Sequence, residues 1–198
     1  MSNLHCLVFD DHPLVGIAIR ETLSKVDCIQ SISVAHNTKQ ALQAIRSGVI
    51  NLLILDINLN DVDGYDFYRR IRSHDYSGKV LFYSAEESPL YSDMAFKAGA
   101  DGYVCKSEHP RILRDAVEGI SNGYTFFKFK PSPNLDREKV ELSNREAMVM
   151  NYLLQGKTNK EIAHILSISD KTVSTYKRRL LDKYGVNNII ELNKASTL

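Results

Sequence analysis

From the start of the chain to about residue 122, short runs rich in β-branched and aromatic residues alternate with longer stretches in which apolar positions recur every three or four residues. The runs "LHCLVFD", "SISVA", "NLLILD", "KVLFYSA" and "GYVCK" read as strands, and the amphipathic stretches between them have helix length. Strands joined by crossover helices form a parallel sheet covered on both faces, so its central strands are apolar without a break, as "LLIL" is. The pattern predicts an α/β fold with a doubly wound, five-stranded parallel sheet. In such open sheets functional groups gather beyond the carboxyl ends of the strands, where the winding order reverses.

The pattern changes after Gly123. "GYTFFKFKPSPNLDREKVE" mixes aromatics, prolines and charge without a clean period, and its middle reads as a linker; Tyr124, Phe126, Phe127 and Phe129 are free to dock on either neighbour. Beyond it every segment is helical. "LSNREAMVMNYLLQG" opens on Ser143 with Glu146 three residues later, a capping box, and stops at Gly156. "TNKEIAHILSIS" is a short helix capped by Thr158 or Asn159, followed by a tight break around Leu166 to Ser169. Asp170 is expected to cap "KTVSTYKRRLLDKYG", which ends at Gly185, and "NIIELNKAS" forms a last helix. The expected organisation is a first domain over 1–124, a linker over 125–141 and a small all-α second domain over 142–198.

Composition adds limits. With 198 residues, 43% hydrophobic and 25% charged, the chain is long and apolar enough for a sizeable core and unlike a disordered segment. No stretch approaches the roughly 18 to 20 apolar residues of a membrane helix. "MSNLHCLVFDD" also lacks a basic region followed by an apolar run, so a cytoplasmic location and no membrane partner are expected. Cys6, Cys28 and Cys105 are odd in number and far apart, and read as reduced, structural thiols. The net charge of +1 conceals a division: residues 1–124 carry 12 Lys or Arg against 16 Asp or Glu, and residues 125–198 carry 13 against 8. A module of −4 is followed by one of +5, and clustered cations of that kind point to nucleic acid unless they merely solvate helix faces.

Candidate chemistry sits at the strand ends. Asp10 and Asp11 close the first strand, Asp56 the third, Ser84 the fourth and Lys106 the fifth, so one edge of the sheet collects them all. Crowded carboxylates repel unless a cation intervenes. Mg2+ suits the task, because it takes oxygen ligands from one or two carboxylates and a carbonyl and leaves positions for phosphate oxygens. Asp61 and Asp63 read as turn residues, and His12 as a cap or packing residue ahead of Pro13, which fits the opening of a helix.

Asp10 with Asp11, "LDINLNDVDG", "YSA" and "GYVCK" resemble, in order and spacing, the flavodoxin-like receiver domain of two-component response regulators over residues 4–122. The resemblance implies that Asp56 accepts a phosphoryl group from a phosphohistidine on a partner histidine kinase. Asp10, Asp11, Asp56 and the backbone carbonyl of Asn58 would hold Mg2+. Lys106 would pair with the phosphoryl group, Ser84 would donate its hydroxyl to it, and Tyr103 would be the aromatic switch that swings inward. Such a domain is not an enzyme in the usual sense and catalyses only its own phosphotransfer and dephosphorylation. One departure is visible: the family usually has proline four residues beyond the acceptor, and this chain has Asn60.

In the second domain a short helix, a tight turn and a longer helix make a helix-turn-helix, whose second member enters the major groove. Val173, Tyr176, Leu180 and Tyr184 share one face, and Lys171, Ser174, Thr175 and Arg178 the opposite one. "NKEIA" and "KTVSTYK" resemble the DNA-binding domain of the LuxR, NarL and FixJ class over residues 142–196, and "KTVSTYK" with "GYTFF" is similar to the BvgA, EvgA and FimZ branch. From geometry and likeness, Ser174, Thr175 and Arg178 are expected at base edges, and Asn159, Lys160, Lys171, Thr172 and Lys177 at phosphates. The last helix, with Ile189, Ile190 and Leu192, would pair two copies on DNA, pack into the core, or do both. The implied function is a transcriptional response regulator that binds promoter DNA as a homodimer when active, with RNA polymerase as a further partner. Two other readings stand beside it: an aspartyl-phosphate hydrolase of the haloacid dehalogenase kind, and a DNA binder independent of phosphorylation.

Overall fold

Leu52–Leu55 (β3) is buried at every residue, and the remaining strands are laid out around it. A computed structural model of the chain describes residues 3–127 and 142–197. It contains two compact units, and the division between them, at positions 131 and 132, falls outside the described residues. In the first unit β1 (Leu4–Phe9), β2 (Ile29–Ala35), β3, β4 (Lys79–Ser84) and β5 (Gly102–Cys105) pair in parallel in the order β2-β1-β3-β4-β5. The helices α1 (Pro13–Leu23), α2 (Thr38–Arg46), α3 (Gly64–Arg72), α4 (Pro89–Lys97) and α5 (Pro110–Ser121) make the crossovers. The winding reverses between β1 and β3, as a doubly wound sheet requires.

Side chains alternate across the sheet and divide its core into two layers. On one face Cys6, Val8, Ile54, Leu81 and Val104 meet Ile19 and Leu23 of α1 and Leu113, Val117 and Ile120 of α5. On the other, Phe9 meets Phe67 edge-on at 4.9 Å, and Phe82 packs against Tyr65 and Tyr68 of α3. At the outer strand β2 the pattern thins, with Gln30, Ser31 and Ser33 exposed among half-buried Ile29, Ile32 and Val34. All three cysteines are free and buried, and burial pushes the Cys6 thiol up, so it stays protonated.

Asp63 caps α3 by accepting from the N–H groups of Tyr65 and Asp66, and Asp61 accepts from Thr38 N–H, so both serve turns and caps as expected. Phe126, inside the segment read as linker, is bound to the sheet: its N–H donates to Asp101 O, its carbonyl accepts from Tyr103 N–H (both 2.9 Å), and the Phe127 ring stands edge-on to Phe96. The rest of that linker, residues 128–141, lies outside the described residues.

The second unit contains α6 (Asn144–Leu154), α7 (Asn159–Ile165), α8 (Asp170–Tyr184) and α9 (Ile189–Thr197). Capping boxes start both α6, through Ser143 and Glu146, and α7, through Thr158 and Glu161. The cap of α8 falls one residue earlier than expected. Ser169 accepts from Thr172 N–H, whereas Asp170 takes the first helical position, where its carboxylate faces the positive end of the helix. Gly185 ends α8 in the left-handed region, at φ 63°. Val173 and Leu180 are fully buried and Tyr176 and Tyr184 half-buried, so α8 turns the expected face to the core.

Glu146 is 4% exposed. Burial opposes its charge, but hydrogen bonds from Lys183 Nζ (2.8 Å) and from the N–H and hydroxyl of Ser143 outweigh it and hold the carboxyl below the usual range. A carboxylate depressed by folding adds stability above its ordinary pKa, and that stability is lost as pH falls through the folded value. Urea titrations should show the second unit weakening from about pH 5 towards pH 3. Glu146→Gln should flatten that loss and cost about 1 kcal/mol at neutral pH; an unchanged pH profile in the variant would refute the assignment.

Candidate functional site

Phe9 and Leu55 are register partners, so Asp10 and Asp56 leave the sheet side by side at its carboxyl edge. Ser84 and Cys105 are also partners, which brings Lys106 to the same edge. Both aspartates are buried, at 1% and 4% exposure, and Lys106 Nζ stands 2.7 Å from Asp10 Oδ2 and 2.7 Å from Asp56 Oδ2. Asp56 Oδ1 accepts from the N–H groups of Ile57 (2.7 Å) and Asn58 (3.4 Å). Burial pushes the Asp56 carboxyl above its ordinary range, Lys106 pulls it back, and Asp10 adds to the push. Burial opposes the charge of Lys106, yet Asp56 and Asp10 outweigh it and hold the ammonium above its ordinary value, so it stays charged.

Asp11 joins this group from the start of the following loop. Its Oδ2 accepts from Asn60 N–H at 3.2 Å; its Oδ1 is buried, makes no hydrogen bond of good geometry, and has His12 Nδ1 2.9 Å away. His12 is the N-cap residue of α1, but its ring does not cap: it turns back to Asp10 and Asp11, while its N–H donates to Asp10 Oδ1. One ligand atom from each of Asp10, Asp11, His12 and Asp56 falls within 4.8 Å of all the others. Hard carboxylate oxygens at that spacing, one of them without a hydrogen bond, fit a divalent cation of the Mg2+ type.

Ser84 is fully buried, and its hydroxyl lies beside Glu86 N–H and the hydroxyl of Tyr103. Tyr103 is turned inward, 5% exposed, and donates to the carbonyl of Glu86 at 2.5 Å. The Glu86 carboxylate in turn accepts from the side-chain amide of Asn58. Sequence reasoning missed Glu86, which no local pattern distinguishes. It also noted Asn60 only as a departure from the usual proline, whereas its N–H reaches Asp11. Gly64, too, went unread: a Cβ there would stand 2.2 Å from the carbonyl oxygen of Asp56 and 2.7 Å from Ile57 Cα.

In the second unit the cations and hydroxyls of α8 lie on its outer side. Lys171, Ser174 and Arg178 are exposed, and Thr172, Thr175 and Lys177 half-buried. The hydroxyls of Ser174 and Thr175 donate to carbonyls one turn back, and Asn159 of α7 donates to Ser174 Oγ at 3.0 Å, which joins the two helices across the turn. Lys160 is exposed at the start of α7. In α9, Leu192 is buried and Ile190 is 72% exposed, so the helix has both a core face and an outer apolar face. Among the described residues no helix is long and apolar enough to cross a membrane.

Residues 6–118 match the response regulator receiver domain family, and residues 140–194 match the luxR family of bacterial regulatory proteins. The chain is 34% identical over 194 residues to the Fimbriae Z protein of Salmonella typhimurium, covering 94% of this chain and 92% of that one. It is also 34% identical over 195 residues to the DNA-binding transcriptional activator EvgA of Escherichia coli, covering 96% and 95%. In fold it is similar to the RcsB response regulator of Salmonella typhimurium, with a TM-score of 0.70 at 24% identity over 98% of this chain and 96% of that one. A hydrolase would share neither the luxR-type domain nor these full-length relatives. The chain belongs to the NarL/FixJ class of transcriptional response regulators, which join a receiver domain to a LuxR-type helix-turn-helix domain.

Proposed function

We propose that the receiver stores a phosphoryl group on Asp56 and that its presence governs binding of the helix-turn-helix domain to promoter DNA. The observation that carries this reading is the meeting of Asp10, Asp11 and Asp56 with the ammonium of Lys106 at one sheet edge. An oxygen of Asp56 attacks the phosphorus of a phosphohistidine on a cognate histidine kinase. The P–N bond breaks, its electron pair stays with the imidazole, and an acyl phosphate forms. The transfer needs alignment and charge neutralisation more than covalent help. Lys106 moves from Asp10 and Asp56 to the new phosphoryl oxygens, and Ser84 donates its hydroxyl to them. Mg2+, held by Asp10, Asp11, Asp56 and the backbone carbonyl of Asn58, would neutralise phosphoryl charge. Tyr103 already lies inward, so phosphorylation would hold the ring there rather than draw it in, and it shifts that equilibrium only as far as it favours one state.

The domains are taken as 1–124 for the receiver, 125–141 for the linker and 142–198 for DNA binding, in a cytoplasmic protein that dimerises when active through surfaces that include the outer face of α9. RNA polymerase is a further partner at the promoter. The test is to incubate the chain with Mg2+ and a small phosphodonor and to follow intact mass. One base-labile phosphate per chain is expected; steady release of phosphate over many cycles would instead mark a hydrolase, and no adduct would leave a DNA binder indifferent to phosphorylation.

Ser174, Thr175 and Arg178 are assigned to base edges, and Asn159, Lys160, Lys171, Thr172 and Lys177 to phosphates. EvgA, a DNA-binding transcriptional activator, supports the assignment of the domain. Arg178→Ala should cost about 1 to 3 kcal/mol of preference for the operator over random DNA. Lys177→Ala should weaken both alike and lower the salt slope by about one. Competition binding at several salt concentrations separates the two, and equal losses in both variants would refute the roles.

A further inference from the structure

The carboxylate of Asp11 is buried, with 6% of its side chain exposed, and its two oxygens are unequally satisfied. Oδ2 accepts from the main-chain N–H of Asn60, in the loop that follows β3. Oδ1 is enclosed and makes no hydrogen bond of good geometry, with the exposed His12 ring nitrogen 2.9 Å away as a group an ion would have to displace or share. An N–H of the main chain is a fixed donor, because no side-chain torsion can withdraw it, and it therefore holds the oxygen it meets in one place. Asn60 supplies that N–H; a proline at the same position would have none to offer. The hydrogen bond therefore depends on residue 60 having an N–H.

We propose that the Asn60 amide is a positioning group for the cation site: by occupying Oδ2 of Asp11 it leaves Oδ1 set for the ion and raises the affinity of the cluster for Mg2+. The proposal rests on the reading of Asp10, Asp11 and Asp56 as a Mg2+ site. Partners that orient metal ligands from behind alter affinity by about tenfold or more when removed. The two variants that matter differ only in the atom concerned, since Asn60→Ala keeps the N–H and Asn60→Pro lacks it.

Titration calorimetry of the full chain with MgCl2, at one pH and without phosphodonor, supplies the test. Asn60→Pro should bind Mg2+ roughly tenfold more weakly than the wild type, while Asn60→Ala stays within about twofold. In an Asp11→Ala background the proline should have no further effect, because the amide then has no carboxylate to orient. Wild-type affinity in Asn60→Pro, an equal loss in Asn60→Ala, or an undiminished loss in the Asp11→Ala background would each overturn the proposal. Absence of Mg2+ binding by the wild type would overturn the cation-site reading and the proposal with it. Should the ion-free proline variant melt below the wild type, replacing the amide at residue 60 by an ester removes the N–H alone and must reproduce the tenfold loss.

Discussion

Asp56→Asn takes up no phosphoryl group under conditions that label the wild type fully, and this is the largest effect expected of any single change in the chain. The replacement preserves size and burial but exchanges a nucleophilic oxygen anion for a neutral amide. Lys106 keeps a partner, since its Nζ also stands 2.7 Å from Asp10 Oδ2, so the site does not collapse and the loss is chemical rather than structural. A melting curve equal to the wild type, together with an unlabelled mass, is the expected pair of results. Labelling that persists in Asp56→Asn would move the acceptor elsewhere. Lys106→Met should behave differently: the nucleophile remains, but the cation that meets the developing charge is gone, and labelling should slow by about 10²-fold or more. Without that ammonium the push of burial and of Asp10 on Asp56 is no longer opposed from this side, so the variant should also lean more heavily on Mg2+ for its stability.

The second large effect belongs to Gly64→Ala. The first residue of α3 lies against the main chain of the acceptor, and its N–H donates to Ile57 O at 2.8 Å. A Cβ at 2.2 Å from Asp56 O and 2.7 Å from Ile57 Cα meets backbone, which has no rotamer to yield. Either α3 lifts and opens the aromatic layer of Tyr65, Phe67 and Phe82, or the acceptor loop shifts. A loss of about 3 kcal/mol is expected in urea titrations, along with slower labelling of Asp56 in the fraction that folds. Wild-type stability would show that the loop accommodates the methyl group freely and that this close approach has no structural role.

The sheet was legible because its signal is strong at the centre: "LLIL" is buried throughout, and an acid directly after it can only lie at the strand's carboxyl end. The meeting of Asp10 with Asp56 follows from parallel pairing of equal registers, and periodicity anticipates that pairing. What escaped acts through main-chain atoms or across space. The N–H of Asn60, the carbonyl of Glu86 and the missing Cβ of Gly64 leave no mark on a hydrophobic pattern. The cap of α8 was displaced by one because Ser169 and Asp170 are both good capping residues, and only geometry shows which one reaches Thr172 N–H. Tyr103 illustrates a different limit. The resemblance implies a ring that swings inward, but that the ring already lies inward, with its hydroxyl on Glu86 O, follows from its neighbours and not from any local pattern.

The crosspiece formed by Phe126 also bears on solubility. β5 is the outermost strand on its side, and an unguarded rim of a sheet offers unpaired N–H and carbonyl groups to any passing extended chain. Here Phe126 occupies the outward N–H of Tyr103, and its carbonyl lies where a Cβ on Gly102 would be crowded at 2.8 Å. The rim is four residues long and already engaged, so strand addition between copies, the usual opening move of aggregation, is disfavoured there.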